Sequence, residues 1–101
     1  MSTTVADAPD ASRYEIHVDG ERAGIAEYRL EDGVITFTHT EVDDAHEGQG
    51  LAGELVEFAL GDARARGLAV RPSCPYVRSY IAKHPEHLDL VREAERGHFD
   101  L

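Results

Sequence analysis

Cysteine is almost missing from this chain. Cys74 stands alone, so no internal disulfide can form and a disulfide-stapled secreted scaffold is excluded. Tryptophan is absent, and of the ten basic residues only Lys83 is lysine. Positive charge is scarce overall, 10 basic against 20 acidic residues giving a formal net charge of −10. A surface of that sign repels nucleic acid and anionic membranes, because phosphate binding relies on Lys and Arg to displace counterions. It leaves two readings open, a cationic acceptor such as an amine or simple solubility. No apolar run reaches bilayer-spanning length and no signal-type apolar segment follows Met1, so the expected compartment is cytoplasmic. With 101 residues, 42 % of them hydrophobic, there is room for one compact core and no separate substrate domain. Any ligand must sit on or between the few core elements.

The first residues, 1–12, carry Ser, Thr, Ala, Asp and Pro without periodicity. They are expected to be a disordered lead-in to a single domain over 13–101. Tyr14, Ile16 and Val18 alternate with Glu15, His17 and Asp19, the period of a half-buried strand. Asp19-Gly20 signals a tight turn, and a second strand follows over Ala23 to Leu30, with Ala26, Tyr28 and Leu30 on one face. After Glu31-Asp32-Gly33, the run VITFTHTEV from Val34 to Val42 is dense in β-branched and aromatic residues, the best strand signal in the chain. Ala52, Leu55, Val56, Ala59 and Ala63 then recur at helical spacing, and Gly67 is placed to end that helix. Leu68 to Arg71 reads as a short strand closed by Pro72, and Pro75 to His84 as a second helix ended by Pro85. Leu88 to Leu101 is loosely periodic, with room for a short terminal helix. The order predicts an α/β fold in which an antiparallel meander leads into a mixed sheet flanked by two or three helices.

Gly48 and Gly50 lie between the best strand and the best helix. Glycine lets the backbone turn tightly and lets a ligand approach its N–H groups. The first turn of a helix adds unpaired N–H donors and a partial positive charge. Together they make an anion site suited to a pyrophosphate, which is how a chain of this charge could hold a polyanion. No Gly-Lys-Ser/Thr follows, which excludes a P-loop. The strand comes third in a meander, which excludes a Rossmann fingerprint. A glycine-bearing loop that merely starts a helix is the alternative.

Glu47-Gly48-Gln49-Gly50-Leu51-Ala52 resembles the acetyl-CoA-binding signature of the GCN5-related N-acetyltransferases (GNATs), Gln/Arg-x-x-Gly-x-Gly/Ala. Gly50 and Ala52 match its last two defined positions. Glu47 stands where Gln or Arg is expected, so the side-chain role at that position does not carry over, whereas the backbone donors do. Phe37 to Val42, the glycine turn, Pro72-Ser73-Cys74-Pro75-Tyr76-Val77, Tyr80-Ile81 and His84-Pro85-Glu86 occur in that order. The set is similar to the minimal single-domain, YjdJ-like branch of GNATs, over roughly Tyr14 to Val91. The resemblance implies acetyl-CoA as cofactor, a primary amine as acceptor, and a mixed sheet splayed open for the pantetheine arm. It sets the pyrophosphate at Gly48, Gln49, Gly50, Leu51, Ala52 and Gly53 and the pantetheine beside Glu41 and Val42. Lys83 and His84 would meet the adenosine or its 3′-phosphate.

Four side chains are candidates for chemistry. Cys74 is either a small buried hydrophobe or a thiol activated where a strand gives way to a helix N-terminus. The resemblance places it near the acetyl thioester as a candidate acetyl carrier. His39, sharing a face with Ile35 and Phe37 by alternation, is either a partly buried, hydrogen-bonded histidine or a general base for an ammonium or for the Cys74 thiol. Tyr76 and Tyr80 are either core-packing residues, at least one of them in that role, or, as the resemblance implies, alternatives for the acid that protonates the departing CoA thiolate. His84 and His87 around Pro85, without further ligands nearby in sequence, make a poor metal site. The leading expectation is an acetyl-CoA-dependent N-acetyltransferase. The rival is a CoA-binding sensor without turnover, and a third reading is an interaction domain with no ligand.

Overall fold

A computed structural model describes residues 2–101; Met1, part of the expected lead-in, lies outside the described residues. Five strands form one sheet in sequential order: β1 (Thr3–Ala8), β2 (Arg13–Val18), β3 (Glu21–Glu31), β4 (Val34–Val42) and β5 (Ala69–Pro72). β1 to β4 pair antiparallel, whereas β5 lies parallel to β4. The crossover between them is α1 (Leu51–Ala65); α2 (Pro75–Lys83) and the short α3 (Glu93–Arg96) follow β5. The mixed sheet and its flanking helices are the fold the sequence predicts. Among the described residues no helix is long and apolar enough to cross a membrane.

Both Asp-Gly pairs make two-residue hairpin loops, with Asp19 and Gly20, and likewise Asp32 and Gly33, at positive φ. That backbone twist matches the twist of the strands it joins. The alternating residues Tyr14, Ile16 and Val18 of β2, Ala26 and Tyr28 of β3, and Ile35 and Phe37 of β4 are all buried. They meet Leu51, Leu55, Val56, Ala59, Leu60 and Ala63, the apolar stripe of α1. The stripe starts at Leu51 rather than Ala52, which is only half-buried. Leu30, expected on the buried face, is exposed at the end of β3.

The stretch expected to be disordered is instead an edge strand. Thr3 to Ala8 pair with Val18 to Arg13, and Asp7 accepts a hydrogen bond from the Tyr28 hydroxyl at 2.6 Å. Arg66 bridges Asp7 and Asp62, and Tyr14 donates to Asp62. Burial first, then the carboxylate of Asp7, pushes the Tyr28 hydroxyl up to about 12, which keeps it a donor. Partners distant in sequence supply this order, which composition does not report.

One irregularity shapes everything downstream. Glu27 pairs with His39 but Tyr28 pairs with Phe37, so Thr38 is an extra residue in β4. Its Oγ1 donates to the Glu27 carbonyl. Such a bulge shifts the side-chain alternation by one: Ile35 and Phe37 point at α1 before it, Thr40 and Val42 after it, and His39 and Glu41 turn to the other face. On the other side of β4 the parallel ladder ends at Phe37, opposite Pro72. Proline has no N–H to continue it, and the Phe37 carbonyl takes its hydrogen bond from the Cys74 N–H, at 2.8 Å. Pro75 then starts α2 and carries the chain away. From Thr38 to Val42, β4 therefore has no partner strand on that side.

Gly24 faces Val42 across the bulged end of β4, and a Cβ there would lie 2.8 Å from the Glu41 carbonyl oxygen and 3.1 Å from Val42 Cγ2. Gly24→Ala should lower stability by about 1–3 kcal/mol, the cost of overpacking against backbone, read as a drop in thermal midpoint. An unchanged midpoint would mean that the strand end is soft and does not set the fork.

Candidate functional site

Where β4 and β5 part, two sets of residues converge. The first is the turn into α1. Gly48 and Gly50 take φ of 81° and 72°, the left-handed region that side chains resist. Gly50 is the N-cap of α1 and no side chain caps the helix; its carbonyl accepts the first intrahelical bond from Glu54 N–H. The N–H groups of Leu51, Ala52 and Gly53 are left without helical partners. A cavity of about 250 Å³ opens beside them, lined by Val42, His46, Glu47, Gly48, Gly50 and the first turn of α1, with Tyr76 from α2 across it.

The donor set suits a pyrophosphate: an uncapped N-terminus on a 15-residue helix, two glycines whose backbone approaches closely, and a histidine with an open nitrogen. His46 lines the cavity, and its Nδ1 is buried without a hydrogen-bond partner. Sequence reasoning passed over His46 because nothing in its spacing marks it; the turn at Asp44–His46 ends with it in the same cavity lining as the glycines. Glu47 also lines the cavity and adds the one carboxylate that a polyanion would meet there.

The second set lies at the fork. Cys74 is the N-cap of α2 and only 3 % exposed. Its Sγ lies 3.3 Å from Thr40 Oγ1, within hydrogen-bonding reach. Thr40, not His39, is thus the neighbour of the thiol. His39 does not share a face with Ile35 and Phe37; the bulge sends it to the far face, where its side chain is 55 % exposed with Nε2 4.0 Å from Glu41 Oε1. The phase change is visible in the sequence only as one residue too many between Phe37 and Val42.

Tyr76 and Tyr80 separate cleanly. Tyr76 is exposed and lines the cavity. Tyr80 donates to Glu57 Oε1 at 2.6 Å, and burial, then that carboxylate, pushes its hydroxyl far up. A proton so committed is poorly placed to reach a leaving group. Lys83 and His84 are at the C-terminal end of α2 and outside the cavity lining, with His84 stacked on Tyr80 at 4.2 Å. Gln49 and Glu41 are exposed and also outside it.

His87 is buried and its Nε2 lies 2.9 Å from the same Glu57 oxygen. Glu57, Glu86 and His87 thus come within 4.8 Å of one another, a grouping that sequence proximity did not reveal. Glu57 is already engaged by Tyr80 and His87, so the group acts as a brace fixing α2 and the turn after it against α1. The hydrogen bonds from Tyr80 and then His87 hold the Glu57 carboxyl below its ordinary range. A depressed folded-state pKa stabilises above the unfolded value and loses that stability as pH falls through the folded one. Glu57→Gln should therefore lower the thermal midpoint at pH 7 by roughly 2–5 °C, the modest effect of a half-exposed group. The gap from the parent should shrink as pH falls below the carboxylate range, and a gap that persists at acid pH would remove the charge from the brace.

Comparison with known proteins follows the same lines. Residues 13–90 match the family model described as GCN5-related N-acetyl-transferase. Among curated proteins, the chain is 33 % identical to Protein NATD1 of Gallus gallus over 60 residues, 54 % of each chain. It is 33 % identical to Protein NATD1 of Homo sapiens over 52 residues, 52 % of this chain and 46 % of that one. These matches span about half the length of the relatives. The NMR solution structure of a GCN5-like protein from Staphylococcus aureus superposes with a TM-score of 0.68 at 21 % identity, over 88 % of this chain and 87 % of that one, a likeness of fold.

Proposed function

The chain belongs to the GCN5-related N-acetyltransferase family, and from that membership and the geometry of the fork we propose that it moves an acetyl group from acetyl-CoA to a primary amine. What carries the reading is the uncapped N-terminus of α1 with Gly48 and Gly50 at positive φ beside an open cavity. The N–H groups of Gly48 to Gly53 hold the pyrophosphate, and His46 Nδ1, next to the Glu47 that stands in the signature's Gln or Arg position, adds a hydrogen bond. β4 offers the pantetheine an unpaired edge. Asp43 N–H bonds back to Ala23 O on β3, so by strand alternation the backbone groups of Thr40 and Val42 face the open side. Lys83 and His84 lie one turn beyond Tyr80, in reach of an adenosine end that extends along α2.

Acetyl-CoA supplies an activated thioester. Cys74 Sγ forms a bond to the acetyl carbon as the thioester C–S bond breaks and its electron pair leaves on CoA, the thiol proton passing to the Tyr76 hydroxyl in exchange for the one that hydroxyl gives up. Tyr76, the tyrosine at the cavity, is placed to give that sulfur a proton. The amine nitrogen then bonds to the acetyl carbon, the C–Sγ bond breaks, and Cys74 recovers a thiol. His39, exposed on the far face beside Glu41, takes the proton that the ammonium sheds. An acidic protein surface favours the approach of a cationic amine.

Intact-mass spectrometry after incubation with acetyl-CoA should show one added acetyl group, absent in Cys74→Ala and discharged by an added amine. An unlabelled protein with full turnover in Cys74→Ala would place the transfer directly between thioester and amine. CoA binding without any turnover of an amine panel would leave a sensor. In calorimetry, Gly50→Val should weaken CoA binding about tenfold or more, since the turn must open and the approach closes. His46→Ala should weaken it by about three- to tenfold, the loss of one hydrogen bond to a charged group. Unchanged affinity in both variants would remove the pyrophosphate from this turn.

A further inference from the structure

A second and larger cavity, of about 560 Å³, opens on the face of the sheet away from α1. Arg29, Thr36 and Arg71 line it from one cross-strand row, Arg29 opposite Thr36 and Thr36 opposite Arg71. They alternate with the buried Tyr28, Ile35, Phe37 and Val70, so the pleat alone sends them to the far face. The C-terminal segment supplies the opposing wall with Arg92 and Glu95. In a chain with 10 basic residues against 20 acidic ones, this lining is locally balanced, Arg29, Arg71 and Arg92 standing against Glu31, Asp32 and Glu95.

Their ion pairs decide what the cavity can hold. Glu95 Oε2 lies 3.2 Å from Arg71 Nε, an ion pair without hydrogen-bond geometry that leaves Glu95 Oε1 buried and without a donor. Glu31 and Asp32 are exposed on the β3–β4 turn at the rim. Arg29 and Arg92 form no ion pair among the described residues. Two free guanidinium forks beside the hydroxyls of Thr36 and Ser73 match a carboxylate, which accepts paired hydrogen bonds. The acidic rim disfavours a dianion such as a phosphate monoester, so a singly charged group fits best. The cavity lining stops one residue short of the fork: Ser73 is bonded to Cys74, and Thr36 precedes Phe37, whose carbonyl accepts the Cys74 N–H.

We infer that this cavity, built on Arg29, Arg71 and Arg92, is the acceptor site and selects primary amines that carry a carboxylate, the class of free amino acids. The inference rests on the acetyl-transfer reading above. The carboxylate lies against the arginines and the amine end points to the fork. There its nitrogen bonds to the acetyl carbon and sheds its proton to the His39 side.

NMR titration of 15N-labelled protein tests this without turnover. The probes are an equimolar mixture of free amino acids and the same mixture as C-terminal amides. The free acids should shift the signals of Thr36, Ser73 and the Arg29 Nε–H, and the amides should not. Arg29→Gln with Arg92→Gln should weaken that binding at least about tenfold, and Arg29→Lys, which keeps the charge but not the fork, should weaken it less. Equal shifts from acids and amides, or none from either, would overturn the inference. CoA added to the same samples reads the Gly48–Gly53 signals separately. If the cavity responds and those signals do not, the carboxylate site stands apart from acetyl transfer and its acceptor role is overturned.

Discussion

The parting of β4 from β5 is the constraint on which the rest of the molecule hangs. A parallel pair would ordinarily continue to zip, because each further residue adds ladder hydrogen bonds at little extra cost in chain entropy. Here the zip stops at Phe37. Pro72 offers no donor, Pro75 commits the next residues to a helix, and the Cys74 N–H takes the last carbonyl. Beyond that point β4 keeps one free edge. The bulge at Thr38 rotates the same strand so that Thr40 faces the thiol and His39 faces away from it. Two cavities with no lining residue in common lie to either side of this fork, one beside the glycine turn and one beside the arginine row.

The electrostatics divide along the same line. Around the glycine turn there is no lysine or arginine in the cavity lining, so backbone N–H groups and one imidazole nitrogen are what it offers an anion. On the far face the offer comes from side chains, guanidinium groups set in a row by strand register. Backbone donors hold an anion without adding formal charge and are not consumed in ion pairs with neighbouring carboxylates. Arginines in an acidic protein tend to be consumed by neighbouring carboxylates, as Arg64 and Arg66 are by Asp89, Asp7 and Asp62. Arg29 and Arg92 form no ion pair among the described residues, although Glu31, Asp32 and Glu95 line the same cavity.

A small domain needs braces as well as a core. Tyr14, Tyr28 and Arg66 tie β1 and α1 together through Asp7 and Asp62, and Glu57 ties α1 to α2 and to His87. Each tyrosine buries its ring and brings its hydroxyl to a carboxylate, so burial and hydrogen bonding act together rather than in opposition. The second brace fixes the height of α2 over α1 and with it the position of Tyr76 at the cavity.

Local chemistry was legible in the sequence wherever it is settled within a few residues. The two Asp-Gly turns, the alternation of β2, the strand at Val34–Val42, the glycine turn into α1 and the helix start at Pro75 all follow from backbone preferences and short-range hydrophobic period. The fold class followed from their order, and the family signature followed from residues contiguous in the chain. Some features were decided only by partners far apart in sequence. β1 is a strand because β2, Tyr28 and Arg66 hold it, not because Thr3 to Ala8 look like one. The face of His39 and the neighbour of Cys74 depend on a bulge, and strict alternation cannot show where one extra residue is absorbed. Tyr76 and Tyr80 are indistinguishable by spacing and differ only in that Glu57 engages one of them. The arginine row exists only once β3, β4 and β5 are in register. The sequence by itself determined the elements and the turn that presents backbone donors, since those are local energies; the tertiary structure alone decided which side chains meet, because register and burial are set by contacts that no local window contains.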